Sequence, residues 1–241
     1  MQVYFDIHSH ILPGVDDGAK DMDETRRMLL TAYEEGIRII IATPHYEAGG
    51  DNMDVNVLKE IHEEVNRIAE NVSNEFHILL GNELLYSPGI VESLKKGDAL
   101  TIDGTRYILV EFLPSSSYRE IRDGLNNCIY GGFIPILAHV ERYQSLVKDY
   151  TMVWELIRLG VYIQINYSCI RGKIFDPRVK FCHKLLKNNW VHFIATDAHG
   201  AHERVPKAKD YVLFLIRKYG EDTVRKLVWE NPMTMMENKH L

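Results

Sequence analysis

The sequence predicts an α/β protein folded as a distorted (β/α)7 barrel of the TIM-like kind, and three observations carry that expectation. Short β-branched runs alternate with longer amphipathic segments, the pattern of βα units on a parallel sheet. Seven such runs occur in 241 residues, and α/β barrels often fill about 200–250 residues as one domain. Six of the seven runs end in a residue type that binds metals. A barrel brings its strand ends together on one face, whereas the outer strand ends of an open doubly wound sheet lie too far apart to share a site.

Taken in order, the first run is Val3–His8. Asp21 with Glu24 reads as a capping box ahead of Met28, Leu29, Ala32 and Tyr33. Ile37–His45 follows as the second run, Val55–Val72 as a helix, and His77–Glu83 as the third run. The Asp-Gly pair within Thr101–Arg106 predicts a small hairpin. The fourth to seventh runs are Tyr107–Phe112, Ile134–His139, Val161–Tyr167 and Val191–Asp197. Helical spacing fills the intervals at Tyr118–Ile129, Tyr143–Leu159 and Arg178–Leu186, and again at Lys207–Tyr219. Gly36, Gly160 and Gly220 stand where helices would end. No internal repeat or low-complexity segment interrupts the pattern, so residues 1–241 are expected to form a single domain.

Composition narrows the function. Hydrophobic residues make up 46% and charged residues 26%, an ordinary globular balance. The net charge of −6 argues against nucleic acid or an anionic membrane as partner. The N-terminus already reads as a strand, and the longest apolar stretches are too short to span a bilayer, so a cytoplasmic protein with no membrane insertion is expected. Cys128, Cys169 and Cys182 lack metal-type spacing. The residues six positions after them are Ile134, Phe175 and Asn188, so the Cys and Arg pairing of thiol-based tyrosine phosphatases is absent.

The chemistry sits at the strand ends. His8 and His10 follow the first run, His45 ends the second and Glu83 the third. Glu111 lies near the end of the fourth, His139 ends the fifth, and Asp197 with His199 closes the seventh. Each alone has a bland explanation, because a histidine at a strand end is often only a hydrogen-bonded structural residue. Together they form a pattern that scattering rarely produces. Asp16-Asp17-Gly18 is a turn signal that could also donate a ligand. His62, His77, His183, His192, His202 and His240 fall on helix faces, strand starts or the tail and are expected to be structural.

The segments His8-Ser-His10-Ile-Leu-Pro-Gly-Val-Asp-Asp17-Gly, Ala42-Thr-Pro-His45, Gly81-Asn-Glu83, Val110-Glu111-Phe, His139-Val-Glu-Arg142-Tyr and Thr196-Asp197-Ala-His199 occur in that order. With them the chain resembles the polymerase-and-histidinol-phosphatase (PHP) family over nearly its whole length. Within that family it is most similar to the bacterial manganese-dependent tyrosine-protein phosphatases of capsule and exopolysaccharide loci.

The resemblance implies a PHP-type barrel with three divalent metal ions. His8, His10, Glu83 and Asp197 match the ligands of the first ion. Glu83 as a bridge, Glu111 and His139 match the second, and Asp17, His45 and His199 the third. Some relatives with phosphoester chemistry carry His where this chain has Glu111. A carboxylate there shifts preference from Zn towards Mn, Mg or Fe, so Mn²⁺ is expected, with Fe next. Four carboxylates do not neutralise three divalent ions, and the positive remainder suits a phosphate dianion. Metal-activated hydroxide would be the nucleophile.

The family pattern also places arginines at Arg142 and Arg204, whose planar forks suit a phosphoryl group; the alternative for both is a solvated loop cation. The implied substrate is phosphotyrosine on a protein, in particular the tail of a bacterial tyrosine kinase. A histidinol-phosphate phosphatase is the nearest alternative, since it would use the same scaffold. A metal-dependent amidohydrolase fits less well: such barrels place a lysine on strand four and a histidine on strand six, where this chain has Glu111 and Gln164-Ile-Asn166-Tyr167. A metal-stabilised module without catalysis is the third reading.

Overall fold

The computed structural model describes residues 3–172 and 175–241. Met1, Gln2, Lys173 and Ile174 of the expected single domain lie outside the described residues. Nine parallel strands occupy the seven runs. They are β1 (Tyr4–Ser9), β2 (Ile37–Ala42), β3 (His45–Glu47), β4 (His77–Leu80), β5 (Glu83–Leu85), β6 (Tyr107–Glu111), β7 (Ile134–Leu137), β8 (Tyr162–Asn166) and β9 (Phe193–Ala195).

The second and third runs are therefore not continuous. Pro44 has no N–H to give to a ladder, and run two breaks across Thr43-Pro44 into β2 and β3. Run three breaks in step at Gly81-Asn82. β2 pairs β4 before the break and β3 pairs β5 after it. Across the break, Gly81 N–H donates to Ala42 O at 2.9 Å and Glu83 N–H to Pro44 O at 3.1 Å. His45 and Glu83 thus begin short strands instead of ending long ones, and they face each other in register.

The runs follow one another in sequence order, as β1-β2-β4 and β3-β5-β6-β7-β8-β9. The last returns to the first through a parallel bridge between Ser9 and Ala198. His10 N–H donates to Ala198 O at 2.8 Å, and Asp197 N–H to His8 O at 2.9 Å. Deeper down, the buried Asp6 carboxylate accepts the N–H and hydroxyl of Thr196. The barrel is distorted because β1 and β9 meet mainly at their C-terminal ends.

Helices cover the outside. Asp21 caps α1 (Met22–Glu34) by accepting Glu24 N–H, but the box is half made: the Glu24 carboxylate accepts from Lys20 and Ala201 instead. α2 (Val55–Val72) is as expected. A short α3 (Ile90–Lys96) follows β5. α4 (Tyr118–Tyr130) opens with a complete capping box between Ser117 and Glu120. The helix expected over Tyr143–Leu159 is two, α5 (Gln144–Lys148) and α6 (Thr151–Arg158), because Asp149 accepts the Thr151 N–H and hydroxyl and restarts the chain. α7 (Pro177–Lys187) carries proline in its first turn, where a missing N–H costs nothing. α8 (Lys209–Tyr219), α9 (Glu221–Arg225), a π turn (Lys226–Glu230) and α10 (Asn231–Met236) end the chain.

The expected hairpin at Thr101–Arg106 does not form. The segment entering it is tied elsewhere, with Leu100 N–H donating to Asn82 Oδ1 at 2.8 Å. Ile102–Gly104 forms a single tight turn with Asp103 and Gly104 both at positive φ.

Two apolar layers result. The outer one lies between strands and helices. The inner one comprises Phe5, Ile7, Ile41, Tyr107, Leu109, Ile134, Ile136, Ala138, Phe193 and Ala195, with Ile102 and Met235 packed against them. Their spacing of two along several strands is that of residues pointing into a barrel.

Candidate metal centre

Every site residue expected from the sequence stands at the C-terminal rim. Two-residue spacing along β1 puts His8 and His10 on one side of the chain, and both are buried. Their Nε2 atoms lie 3.2 Å apart. Glu83 Oε2 is 3.1 Å from each, and Asp197 Oδ1 is 3.5 and 3.7 Å away. The other Glu83 oxygen lies 2.8 Å from His139 Nε2, which is 3.5 Å from Glu111 Oε2. His45 Nδ1 lies 3.3 Å from Glu83 and 3.2 Å from Glu111, while its Nε2 is 3.4 Å from Asp17 Oδ1. That same Asp17 oxygen is 3.4 Å from His199 Nε2.

Three donor groups overlap in this space: His8, His10 and Asp197; His45, Glu83 and Glu111; and His10, Asp17, His45 and His199. Ligands about 2.0–2.2 Å from one ion lie roughly 3–3.6 Å from each other. Most of the spacings above fall in that range, with 2.8 Å between Glu83 and His139 and 3.7 Å between His10 and Asp197 just outside it, so the donors are spaced as ligands of metal ions would be. Asp197 Oδ1 is buried and faces His8, His10 and the Arg204 guanidinium.

The two acidic residues of the first loop divide their roles. Asp17 faces His45 and His199. Asp16 stands behind, with Oδ2 at 2.7 Å from His10 Nδ1 and accepting the His45 N–H at 3.1 Å, and Oδ1 accepting from Gly18. Gly18 is required there, since a Cβ would sit 2.1 Å from His10 O.

Electrostatics match a cation site. Burial would raise Glu83, but His8, His10 and His139 hold it well below the usual carboxylate range. Burial opposes charge on His10, yet Asp16 and Glu83 push it up to about 10. His139 rises to about 9 against its burial, through Glu111 and Glu83. His199 drops to about 4 by burial and by its neighbour His10. Carboxylates that draw protons onto imidazoles are carboxylates in want of a cation.

Backbone conformation marks the same rim. His139 (φ 31°), Asp197 (φ 52°) and Arg204 (φ 47°) are all left-handed, and such strain collects at functional sites. Arg142 and Arg204 both reach Asp197, Arg142 at Oδ2 and Arg204 Nη2 at 2.6 Å from Oδ1. Each is part-exposed and lines a cavity of about 260 Å³ with Tyr167, Ser168, Lys207 and Tyr211. A second cavity of about 510 Å³ borders Asp17, His199 and Arg204, and His202 lines it.

Sequence reasoning left Asp16 open as an alternative to Asp17 for the ligand, and it missed two supporting side chains, Gln164 and Asn166 on β8. The signal for the last two was available as a polar residue at every second position of an otherwise apolar strand. Of the remaining histidines, His62, His183 and His192 make the structural hydrogen bonds expected of them.

Among the described residues no helix is long and apolar enough to cross a membrane. Residues 4–237 match the family model for capsular polysaccharide synthesis, CpsB/CapC. The tyrosine-protein phosphatase CpsB of Streptococcus pneumoniae is 35% identical over 232 residues, covering 94% of this chain and 96% of the relative. A chain from the crystal structures of YwqE from Bacillus subtilis and CpsB from S. pneumoniae, unique metal-dependent tyrosine phosphatases, superposes with a TM-score of 0.89. It is 29% identical, and the match spans 98% of this chain and 95% of that one. Histidinol phosphate phosphatase of Lactococcus lactis, solved with zinc, L-histidinol and phosphate, superposes with a TM-score of 0.59 at 16% identity, over 89% of this chain and 94% of that one. That last likeness is one of fold alone.

Proposed function

Because the chain belongs to the CpsB/CapC family of capsular polysaccharide synthesis, we propose that it is a metal-dependent phosphomonoesterase that removes phosphate from tyrosine on a protein. The observation that carries the reading is Glu83, whose two oxygens face separate sets of imidazoles. A carboxylate so placed would suit a bridge between ions. In the proposed site, His8, His10, Glu83 and Asp197 would hold the first of three ions. Glu83, Glu111 and His139 would hold the second, and Asp17, His45 and His199 the third. Mn²⁺ is the preferred ion, by the mixed carboxylate and imidazole donors. Bound there, such ions would polarise a phosphoryl oxygen and supply a nucleophile at neutral pH.

The chain's own residues do the rest. Arg142 and Arg204 stand on the solvent side of Asp197, each with most of its five N–H donors free for an anion. They are placed to grip the phosphoryl group and to stabilise the charge that grows on it during displacement. Lys207, on the wall of the same cavity, adds to its positive potential. The open rim suits a flexible segment of protein, and the family resemblance supports the phosphorylated tail of a bacterial tyrosine kinase, met in the cytoplasm, as partner. Residues 1–241 act as one catalytic domain in this reading.

The test is turnover by one preparation of phosphotyrosine peptide and histidinol phosphate, before and after chelation. Peptide hydrolysis should vanish with the metal and return best with Mn²⁺. Full activity after exhaustive metal removal would overturn the reading. A strong preference for histidinol phosphate would move the assignment to the small-molecule alternative, which rests only on the shared scaffold.

A further inference from the structure

We propose that Gln164 and Asn166 are positioning residues that orient His8, His139 and Asp197 and thereby set the affinity of the centre for metal. The assignment rests on the metal-site reading above. β8 is the one run whose end carries no metal-binding residue type. Its outward residues Ile163 and Ile165 join the outer core, while Gln164 and Asn166 point inward and are buried. Inward positions on the neighbouring strands are apolar, Ile134 and Ile136 on β7 and Phe193 and Ala195 on β9, and a buried amide is costly unless its groups are bonded.

These two amides are bonded in a chain of single polarity. Gln164 Oε1 accepts the His139 N–H at 2.8 Å and faces His8 Nδ1 at 3.3 Å. Gln164 Nε2 donates to Asn166 Oδ1 at 2.7 Å, and Asn166 Nδ2 donates to Asp197 Oδ2 at 2.7 Å. Reversing the Gln164 amide would set its N–H against the His139 N–H. The orientation is therefore dictated by a backbone donor.

Three consequences follow. Since an amide oxygen only accepts, His8 must carry its hydrogen on Nδ1, and its Nε2 lone pair then points at Glu83 Oε2 and His10 Nε2. His139, left-handed at φ 31°, is held in that conformation through its own N–H. Asp197, with Oδ2 occupied by Asn166 and Arg142, turns Oδ1 toward His8, His10 and His199, where Arg204 Nη2 also reaches it at 2.6 Å. Asn166 is itself anchored, its N–H donating to the buried Glu141 carboxylate at 3.2 Å. Partners that orient metal ligands are worth about 10–100-fold in affinity.

The test is Mn²⁺ binding to chelator-stripped protein, with the melting temperature measured with and without the ion. Gln164→Met keeps the volume and removes the hydrogen bonds, and Asn166→Ala cuts the last link. Both should bind Mn²⁺ about 10–100-fold more weakly, and the ion should raise their melting temperature less. Gln164→Glu keeps the acceptor for His8 and His139 and should bind better than Gln164→Met; it also tests the idea should Gln164→Met fail to fold. A merely structural role would lower the metal-free melting temperature and leave Mn²⁺ affinity intact. Wild-type affinity in Asn166→Ala together with Gln164→Met, or with Gln164→Glu if Gln164→Met is unfolded, would overturn this assignment alone. A wild-type chain that binds no Mn²⁺ would overturn the metal-site reading and this assignment with it.

Discussion

The two ends of the barrel are built on opposite principles. At the N-terminal end, Phe5, Tyr107, Ile134 and Phe193 fill the interior and Met235 of α10 packs beneath them. Polar contacts there are peripheral straps to the C-terminal tail, such as Tyr107 Oη donating to Lys239 O at 2.6 Å and Arg106 N–H to Asn238 Oδ1 at 2.9 Å. At the C-terminal rim the interior is imidazole, carboxylate and amide. His139 and Arg204 hold left-handed backbone there, which is uncommon for any residue but glycine. Strain of this kind costs on the order of 1–3 kcal/mol per residue. One end therefore supplies stability, and the other spends part of it on a preset arrangement of charge.

That contrast can be broken most sharply at the rim. Glu111→Ala and His139→Ala should each lose the second ion and at least about 10³-fold in turnover, more than a single electrostatic contact is usually worth. Their circular dichroism should stay that of the folded chain, because the barrel interior below is untouched. Unchanged metal stoichiometry in both would remove them from the site.

The converse change is Phe193→Ala at the closed end. Deleting a fully buried ring should cost about 3–5 kcal/mol of stability, read by chemical denaturation, while the folded fraction keeps wild-type affinity for Mn²⁺. A drop in affinity of the folded protein would show that the two ends are not independent.

The arginines sharpen the comparison within the rim. Arg142→Ala and Arg204→Ala remove positive charge beside Asp197, so metal should bind no more weakly than in the wild type. At least one variant should nevertheless lose roughly 10²–10³-fold in kcat, with poor rescue by lysine, which lacks the planar fork. Near-wild-type kcat in both would make them surface residues.

The smallest effect concerns His192, at the start of the last run. Its Nδ1 accepts the Ile163 N–H at 3.0 Å, and burial lowers its pKa to about 4. The folded value lies below the unfolded one of about 6.5. The neutral ring thus contributes stability that is present above about pH 6.5 and lost as pH falls towards 4. Between about pH 6.5 and 5 the loss should be on the order of 1–2 kcal/mol. His192→Asn, which keeps an acceptor and cannot titrate, should flatten that limb of the stability curve; an unchanged limb would assign it to other groups.

Much of the rim was legible in the residue order. The βα alternation, the seven runs and the residue types at their ends are local properties, visible to anyone counting periods of two and 3.6. Eight of the nine proposed ligands could be singled out because strand direction delivers strand ends to one face; Asp17, in a loop, was named only through the family resemblance. The capping box at Asp21 was only half legible, since nothing local says that Glu24 will reach Ala201, 177 residues away. The helix expected over Tyr143–Leu159 failed for the opposite reason: Asp149 competes locally for the Thr151 N–H, and apolar periodicity does not register that competition.

The sequence by itself determined the class of fold, the chemistry of the rim and the absence of a thiol nucleophile, because each depends on residue type and local spacing. Only the tertiary structure decided that runs two and three kink together, so that His45 meets Glu83 in register. It alone separated Asp17, facing His45 and His199, from Asp16, bound to His10. It alone joined Gln164 to His8 across 156 residues of chain. The physical reason is the same throughout: a residue's type and period set which face it prefers, but its hydrogen-bond partner is whatever the closed sheet brings within about 3 Å.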